Sequence, residues 1–263
     1  MSAAAGEQIV LRDVSKRYET ASGTVPAVED VNIAVRAREF VALLGPSGCG
    51  KSTVLGMIGG LVRPDAGRVS IDGVAVTGPD PRKVALAFQD PGLFPWRTAL
   101  DNVGFGLELQ GVPAARRREI ARALLEPMGL RGFEAKYPRE LSGGMRQRVA
   151  IARALALETP IVLMDEPFGA LDEQTRILMG EWLVGIRART HKTIVFVTHS
   201  LQEAIALSDR IVVMTARPGR VKDVVDVPLP FPRNVNAPEV VDLRAKLWEQ
   251  VREESLKALD IRL

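Results

Sequence analysis

The 263-residue sequence is poor in the features that would mark several large classes of protein. It has one cysteine, Cys49, which excludes an internal disulfide framework and fits a reducing compartment. It has no apolar run near the ~18 residues that a membrane-crossing helix needs. Its formal net charge is only +3, from 35 Lys and Arg against 32 Asp and Glu, so it carries no basic field of the kind that draws nucleic acid. The short run Arg116-Arg117-Arg118 reads as a solvated helix face. The opening MSAAAGEQ lacks the charged-then-apolar layout of a signal peptide. The expected location is the cytoplasm, with any membrane span supplied by another chain. No internal repeat or long low-complexity segment is visible. What remains is ordinary globular composition, 46% hydrophobic and 25% charged, long enough for one large α/β domain.

Residues 8–40 read as short β-rich segments with alternating apolar positions. FVALL, at 40–44, reads as a buried strand leading into a glycine-rich loop, and RVSIDGVAV as a hairpin turning at Asp72-Gly73. VALAF, at 84–88, is another buried strand that runs up to Gln89. From about 90 to 140 the pattern turns helical. VPAARRREIARALLEPMG carries Pro113 near its first position and Gly129 as its stop, with Ile120, Ala121, Leu124, Leu125 and Met128 at helical spacing. A Ser-Gly-Gly turn then opens a helix to about Leu157. PIVLMDE and KTIVFVTHS are buried strands separated by a helix over about 172–190. IVVMTA and VVDVPLP close the sheet, and a terminal amphipathic helix follows. Strands alternating with helices predict a largely parallel sheet, and ligands gather at the carboxyl ends of such strands. One strand there delivers the glycine loop, another Gln89, another Asp165-Glu166 and another His199.

GPSGCGKST comprises Gly45, Pro46, Ser47, Gly48, Cys49, Gly50, Lys51, Ser52 and Thr53. It matches the phosphate-binding pattern Gly-x-x-x-x-Gly-Lys-Ser in full. Its glycines let successive backbone N–H groups converge on phosphate oxygens. Lys51 reaches the β- and γ-phosphates, and the Ser52 hydroxyl is a ligand for Mg2+, so ATP and Mg2+ are the expected cofactors. Cys49 is open to two readings: a small residue that the loop tolerates, or a thiol whose pKa the helix start lowers and which reports nucleotide occupancy.

Asp165 and Glu166 close an apolar strand. Beside such a loop the first acid supports Mg2+ and the second aims at the water that attacks the γ-phosphate, as general base. Gln89 orients a water or ligates Mg2+ through its amide oxygen, unless it is only a polar strand end. His199 ends a strand on the active edge and reads as a donor to the γ-phosphate. His191 lies in a polar loop and is expected to be exposed. ELSGGMRQRVAIARAL raises a further question. Ser142, Gly143 and Gly144 offer unpaired N–H groups at a helix start, a second place to hold an anion about ninety residues after the first.

The phosphate-binding loop, Gln89, LSGGMRQR, IVLMDE, GALD and His199 together resemble the ATP-binding subunits of ABC transporters, over nearly the whole chain. The resemblance implies one ABC ATPase domain, 1–263. Residues 1–89 and 158–230 would form the nucleotide-binding core, with an N-terminal antiparallel β subdomain. Residues 90–157 would form an α-helical subdomain bearing the signature, and 231–263 a helical tail. In that family the Ser142 turn of one subunit closes over ATP held by the other. The expected partners are therefore a second copy of the chain, integral-membrane permease subunits and, indirectly, a solute-binding protein, at the inner face of the cell membrane. Tyr18 resembles the aromatic residue that stacks on adenine, against the alternative of a half-buried strand tyrosine. Asp172 resembles the residue that signals between the two sites. The apolar loop with Leu93, Phe94 and Trp96 is either a satellite cluster under the helices or a groove that receives a helix of the membrane partner. LFPWRTALDNVGFGLE and DVPLPFPRN look most like importers of nitrate, sulfonates and taurine.

Two rival classes are weaker. A soluble ABC ATPase acting on DNA or ribosomes usually carries two cassettes in tandem or a long coiled-coil insertion, and neither is present here. A P-loop kinase or simple nucleotide-binding module has no use for LSGGMRQR.

Overall fold

The computed structural model describes residues 6–21 and 23–259. Its first half runs β1 (Glu7–Thr20), β2 (Gly23–Arg36), β3 (Phe40–Leu44), α1 (Lys51–Ile58), β4 (Ala66–Ile71), β5 (Val74–Ala75), β6 (Val84–Ala87), α2 (Ala99–Leu109) and α3 (Ala114–Leu125). The second half runs α4 (Gly143–Leu155), β7 (Ile161–Asp165), α5 (Glu173–Thr190), β8 (Thr193–Thr198), α6 (Leu201–Leu207), β9 (Arg210–Met214), β10 (Val221–Asp226) and α7 (Pro238–Ala258). Among the described residues no helix is long and apolar enough to cross a membrane.

The chain divides into two compact units: one holds the chain up to Asp80 and from Thr190 on, the other Pro81–Arg189. The second unit takes in β6, β7 and α5 as well as the helices of the segment 90–157.

In the first unit β3 is the organising strand. All five of its residues are apolar and buried, and Phe40, Val41, Leu43 and Leu44 each contribute about 1.5–3 kcal/mol of gross burial free energy. It pairs in parallel with β8, Phe40 opposite Ile194 through Leu44 opposite Thr198, and in parallel with β9 on its other side. β10 closes that edge antiparallel to β9. A separate antiparallel sheet has the order β2-β1-β4-β5. The sequence predicts short segments here, but β1 and β2 are 14 residues each. Register shifts along β1 and a positive φ at Asp13 absorb the irregular alternation. The β4–β5 hairpin turns at Asp72 and Gly73 as predicted, both at positive φ, as a two-residue turn requires. α7 lays Val240, Leu247 and Val251 on a cluster that includes Ala204, Ile205, Val213 and Val225.

In the second unit β6 and β7 pair in parallel, Val84 opposite Ile161 through Ala87 opposite Met164. α2, α3 and α4 pack on one another, with Val103, Leu107, Ala121, Leu125 and Val149 buried. α3 ends at Leu125 rather than at Gly129. Pro127 has no N–H to continue the ladder, and Gly129 closes the following turn at positive φ. β6 likewise stops at Ala87, leaving Phe88 exposed and Gln89 two residues beyond the strand.

Candidate functional site

In the first unit, residues 45–50 carry the chain from β3 to α1. Gly50 precedes the helix at φ 96°, where a β-carbon would lie 2.4 Å from Val28 Cγ1 and 2.8 Å from the Ala27 carbonyl. Only glycine lets the loop come this close to β2. No side chain caps α1, whose first backbone bond runs from Val54 N–H to Gly50 O. The N–H groups at positions 51–53 are therefore ahead of the helical ladder and point out along the axis.

Lys51 is 4% exposed. Its ammonium donates to the carbonyls of Gly45 and Pro46, each at 2.8 Å, and lies 3.8 Å from Cys49 Sγ. Among the described residues it has no ion pair. A buried cation satisfied only by neutral carbonyls is an incomplete charge pair. Together with a helix N-terminus, that arrangement fits a phosphate group. Ser52 follows, exposed in the first turn, and Thr53 is half-buried.

Cys49 lies inside this loop and is buried. Burial pushes its thiol pKa up, against the smaller lowering effect of Lys51. The reading of an acidified, reactive thiol is therefore corrected: Cys49 is the small residue that the loop packs.

His199 is exposed immediately after β8. The end of that strand, Thr198, is opposite Leu44, the residue before the phosphate loop. Thr198 Oγ1 donates to Glu203 at 2.5 Å and accepts from Ser200 N–H at 2.9 Å, while Ser200 caps α6. The backbone on either side of His199 is thus held at the carboxyl end of the sheet. Tyr18, 40% exposed, is opposite Val25 on the hairpin whose Ala27 and Val28 touch Gly50. The Lys16 ammonium lies 5.6 Å from its ring centroid. His191 is exposed, as its loop setting implied.

In the second unit, the parallel pairing puts Gln89, Asp165 and Glu166 past the carboxyl ends of adjacent strands. Gln89 is exposed; Asp165 and Glu166 are half-buried. Glu166 adopts φ 42°, a strained backbone for a residue with a β-carbon, of a kind concentrated at working sites. Its carbonyl accepts from Gly169 N–H at 3.1 Å.

Ser142 caps α4, its hydroxyl accepting from Met145 N–H at 3.2 Å. That satisfies the third donor of the helix. The exposed Gly143 and the half-buried Gly144 remain at its mouth with no side chain in the way. The turn leans on the GALD segment: a β-carbon at Gly144 would be 3.2 Å from Leu171 Cδ2 and 3.4 Å from Ala170 O. Asp172 caps α5, accepting Thr175 N–H at 2.9 Å and the Thr175 hydroxyl at 2.7 Å. Those two bonds lower its pKa.

The apolar loop is ordered from beneath. Asn102, fully buried, accepts from Phe94 N–H at 2.8 Å and donates to the carbonyls of Phe94, Arg97 and Thr98. Phe94 packs on Phe105 with ring centroids 4.5 Å apart, whereas Trp96 is 71% exposed. Arg153 of α4 donates to Pro91 O and Gly92 O, each at 2.8 Å, and burial lowers its pKa. Asn102, Gln147 and Arg153 escaped the sequence reading. A polar residue on the apolar stripe of α4, with Ile151 and Ala154 one and two turns on, was the available sign for Gln147.

A profile of the ABC transporter family matches residues 28–169. The chain is 47% identical over 252 residues to an uncharacterized ABC transporter ATP-binding protein of Methanocaldococcus jannaschii, covering 96% of this chain and 94% of that one. It is 42% identical to the aliphatic sulfonates import ATP-binding protein of Bacillus cereus, over 92% of this chain and 95% of that one. It is 44% identical to the nitrate import ATP-binding protein of Synechocystis, over 84% and 82%. Among solved structures, a dimeric ATP-binding cassette in a post-hydrolysis state with ADP and Pi superposes with a TM-score of 0.78 at 35% identity, covering 84% of this chain and 100% of that one.

Proposed function

The chain belongs to the ABC transporter family, and from that premise we propose that it is the motor subunit of an importer for small anions of the nitrate or sulfonate type. It has the ABC ATPase fold and is an ATP-binding subunit that converts ATP and water to ADP and phosphate. The importer and its cargo class come from the relatives named for sulfonate and nitrate import. The observation that carries the chemistry is the buried Lys51 ammonium, bonded to two loop carbonyls and lacking a carboxylate.

In this reading the backbone N–H groups of the phosphate loop, which Pro46 lacks, and Lys51 take the phosphate charge, and Tyr18 stacks on the adenine. Glu166 accepts a proton from the water whose oxygen attacks the γ-phosphorus, while the bond to the ADP oxygen breaks. His199 donates a hydrogen bond to the γ-phosphate. The hydroxyl, amide and carboxylate oxygens of Ser52, Gln89 and Asp165 are hard donors of the kind Mg2+ accepts. When bound, that ion would neutralise phosphate charge.

The division of labour within the chain is the one its sequence suggests: core 1–89 with 158–230, helical subdomain 90–157 and tail 231–263. One chain has one phosphate loop and one Ser142 turn, so the complete site needs a second copy. A two-fold pair makes each contact twice. Gly143 and Gly144 of one copy then face the γ-phosphate held by the other, and Asp172 lies next to that junction. Permease subunits dock on the loop around Leu93, Phe94 and Trp96, which places the protein at the inner face of the membrane. A solute-binding protein acts through the permease. The test is specific activity against protein concentration. ATPase activity per chain should rise with concentration towards a plateau; a rate per chain independent of concentration in a strictly monomeric sample would reject the two-copy site.

A further inference from the structure

The segment 215–220, between β9 and β10, lies against the outside of the phosphate loop, and nothing above gives it work. Gly219 is the point of closest approach. Its N–H donates to Ala27 O at 2.9 Å, and its carbonyl accepts from Glu29 N–H at 2.9 Å. A β-carbon there would lie 1.9 Å from the carbonyl oxygen of Cys49. Two residues earlier, the exposed Arg217 donates Nε–H to Gly48 O at 3.3 Å. Among the described residues Arg217 makes no ion pair.

Four of the loop's carbonyls thus have close neighbours. Those of Gly45 and Pro46 go to Lys51, that of Gly48 to Arg217, and that of Cys49 abuts Gly219. In a trans peptide the N–H points opposite to the C=O. The bond to Arg217 therefore fixes the peptide whose Cys49 N–H donates to Pro46 O at 3.4 Å, and the close approach of Gly219 to the Cys49 carbonyl turns the N–H of residue 50 to the opposite side, towards the cradle.

α7 in turn holds the segment. Glu254, 2% exposed, accepts from Ala216 N–H at 2.9 Å. Its other oxygen takes Lys222 Nζ at 2.7 Å and Lys257 Nζ at 2.9 Å. Thr215 Oγ1 lies 3.0 Å from the carbonyls of both Ala216 and Pro218, between which its one proton is shared, and accepts from Arg220 N–H, and Arg220 pairs with Glu29 at 2.8 Å. A buried carboxylate with three donors is a rigid anchor.

We propose that Arg217 and Glu254 are positioning residues for the nucleotide. α7, through Glu254 and the segment 215–220, tunes how tightly the phosphate loop binds it. The proposal rests on the nucleotide-binding reading of that loop and goes beyond it by assigning the C-terminal helix a part in affinity.

The experiment measures Kd for ATP and ADP, and KM against kcat, on the full chain carrying Arg217→Ala, Arg217→Lys or Glu254→Gln. Thermal melts run alongside. Losing one hydrogen bond to a charged donor should raise Kd and KM about 3–10-fold in Arg217→Ala, with kcat changed less than about 2-fold. Arg217→Lys, which keeps the charge, should recover part of the loss. Glu254→Gln should shift Kd in the same direction. Because Arg217 is exposed, its variants fold even if Glu254→Gln does not. Wild-type binding with unchanged affinity in Arg217→Ala overturns the proposal, as does a loss in kcat alone. A wild-type chain that binds no nucleotide instead rejects the reading on which the proposal stands, and the proposal with it.

Discussion

Gln147, in the second turn of α4, donates its side-chain amide to the carbonyl of Phe88 across 3.2 Å. It is 1% exposed, and its own amide oxygen has no partner among the described residues. The helix that starts at Ser142 is thereby tied to the backbone one residue ahead of Gln89. Arg153, two turns further on, ties the same helix to Pro91 and Gly92. Side chains of α4 thus hold the backbone on both sides of Gln89.

Gln147→Leu should test this tie. The Phe88 carbonyl loses its donor while one buried, unsatisfied oxygen disappears, so the net stability change should stay within about 1–2 kcal/mol. Turnover should fall more than nucleotide affinity does. Melting curves and a kcat-against-Kd comparison check it; unchanged turnover would reduce Gln147 to packing.

Glu166→Gln removes the proposed proton acceptor and keeps the shape. Hydrolysis should slow by roughly 10²–10⁴-fold with ATP binding retained, read by single-turnover assays beside equilibrium binding. Undiminished turnover would transfer the base assignment to another group.

Ser142→Arg places a bulky cation at the mouth of α4. Nucleotide binding to the isolated chain should persist, and ATP-induced pairing should be lost on a sizing column. Pairing like that of the wild type would contradict the part given to the Ser142 turn.

Acid should loosen the end of α7. Glu253 bonds Lys222 and Lys257, which lower its carboxyl pKa from 4.5 to about 2. Because the folded pKa is depressed, the contribution of Glu253 is complete above about pH 4.5 and is lost as pH falls toward about 2. The melting temperatures of wild type and Glu253→Gln should differ above pH 5 and converge below pH 3. A gap that stays constant across that range would show that the pairs contribute nothing. Because Glu253 is solvent-exposed, the gap should be small.

The parts of the molecule written in local pattern were legible. FVALL is apolar at every position and forms a fully buried strand; Ser142 ahead of two glycines is a helix cap. The ends of α3 and β6 were misjudged because an apolar residue at the right spacing need not be in the element. Phe88 continues the run VALA yet faces water. The supports of the site were invisible for a different reason. Gln147 and Phe88 are 59 positions apart, and Arg217 and Gly48 are 169 apart. No periodicity connects such pairs, and only the tertiary fold brings them together.

The backbone of Glu166 has one more consequence. At φ 42° a glycine would be at ease where glutamate is not. If Glu166 is the base proposed above, selection for thermal robustness alone would drift toward a sturdier and less active protein at this position. Keeping the carboxylate means accepting a local weak point in the backbone just past β7.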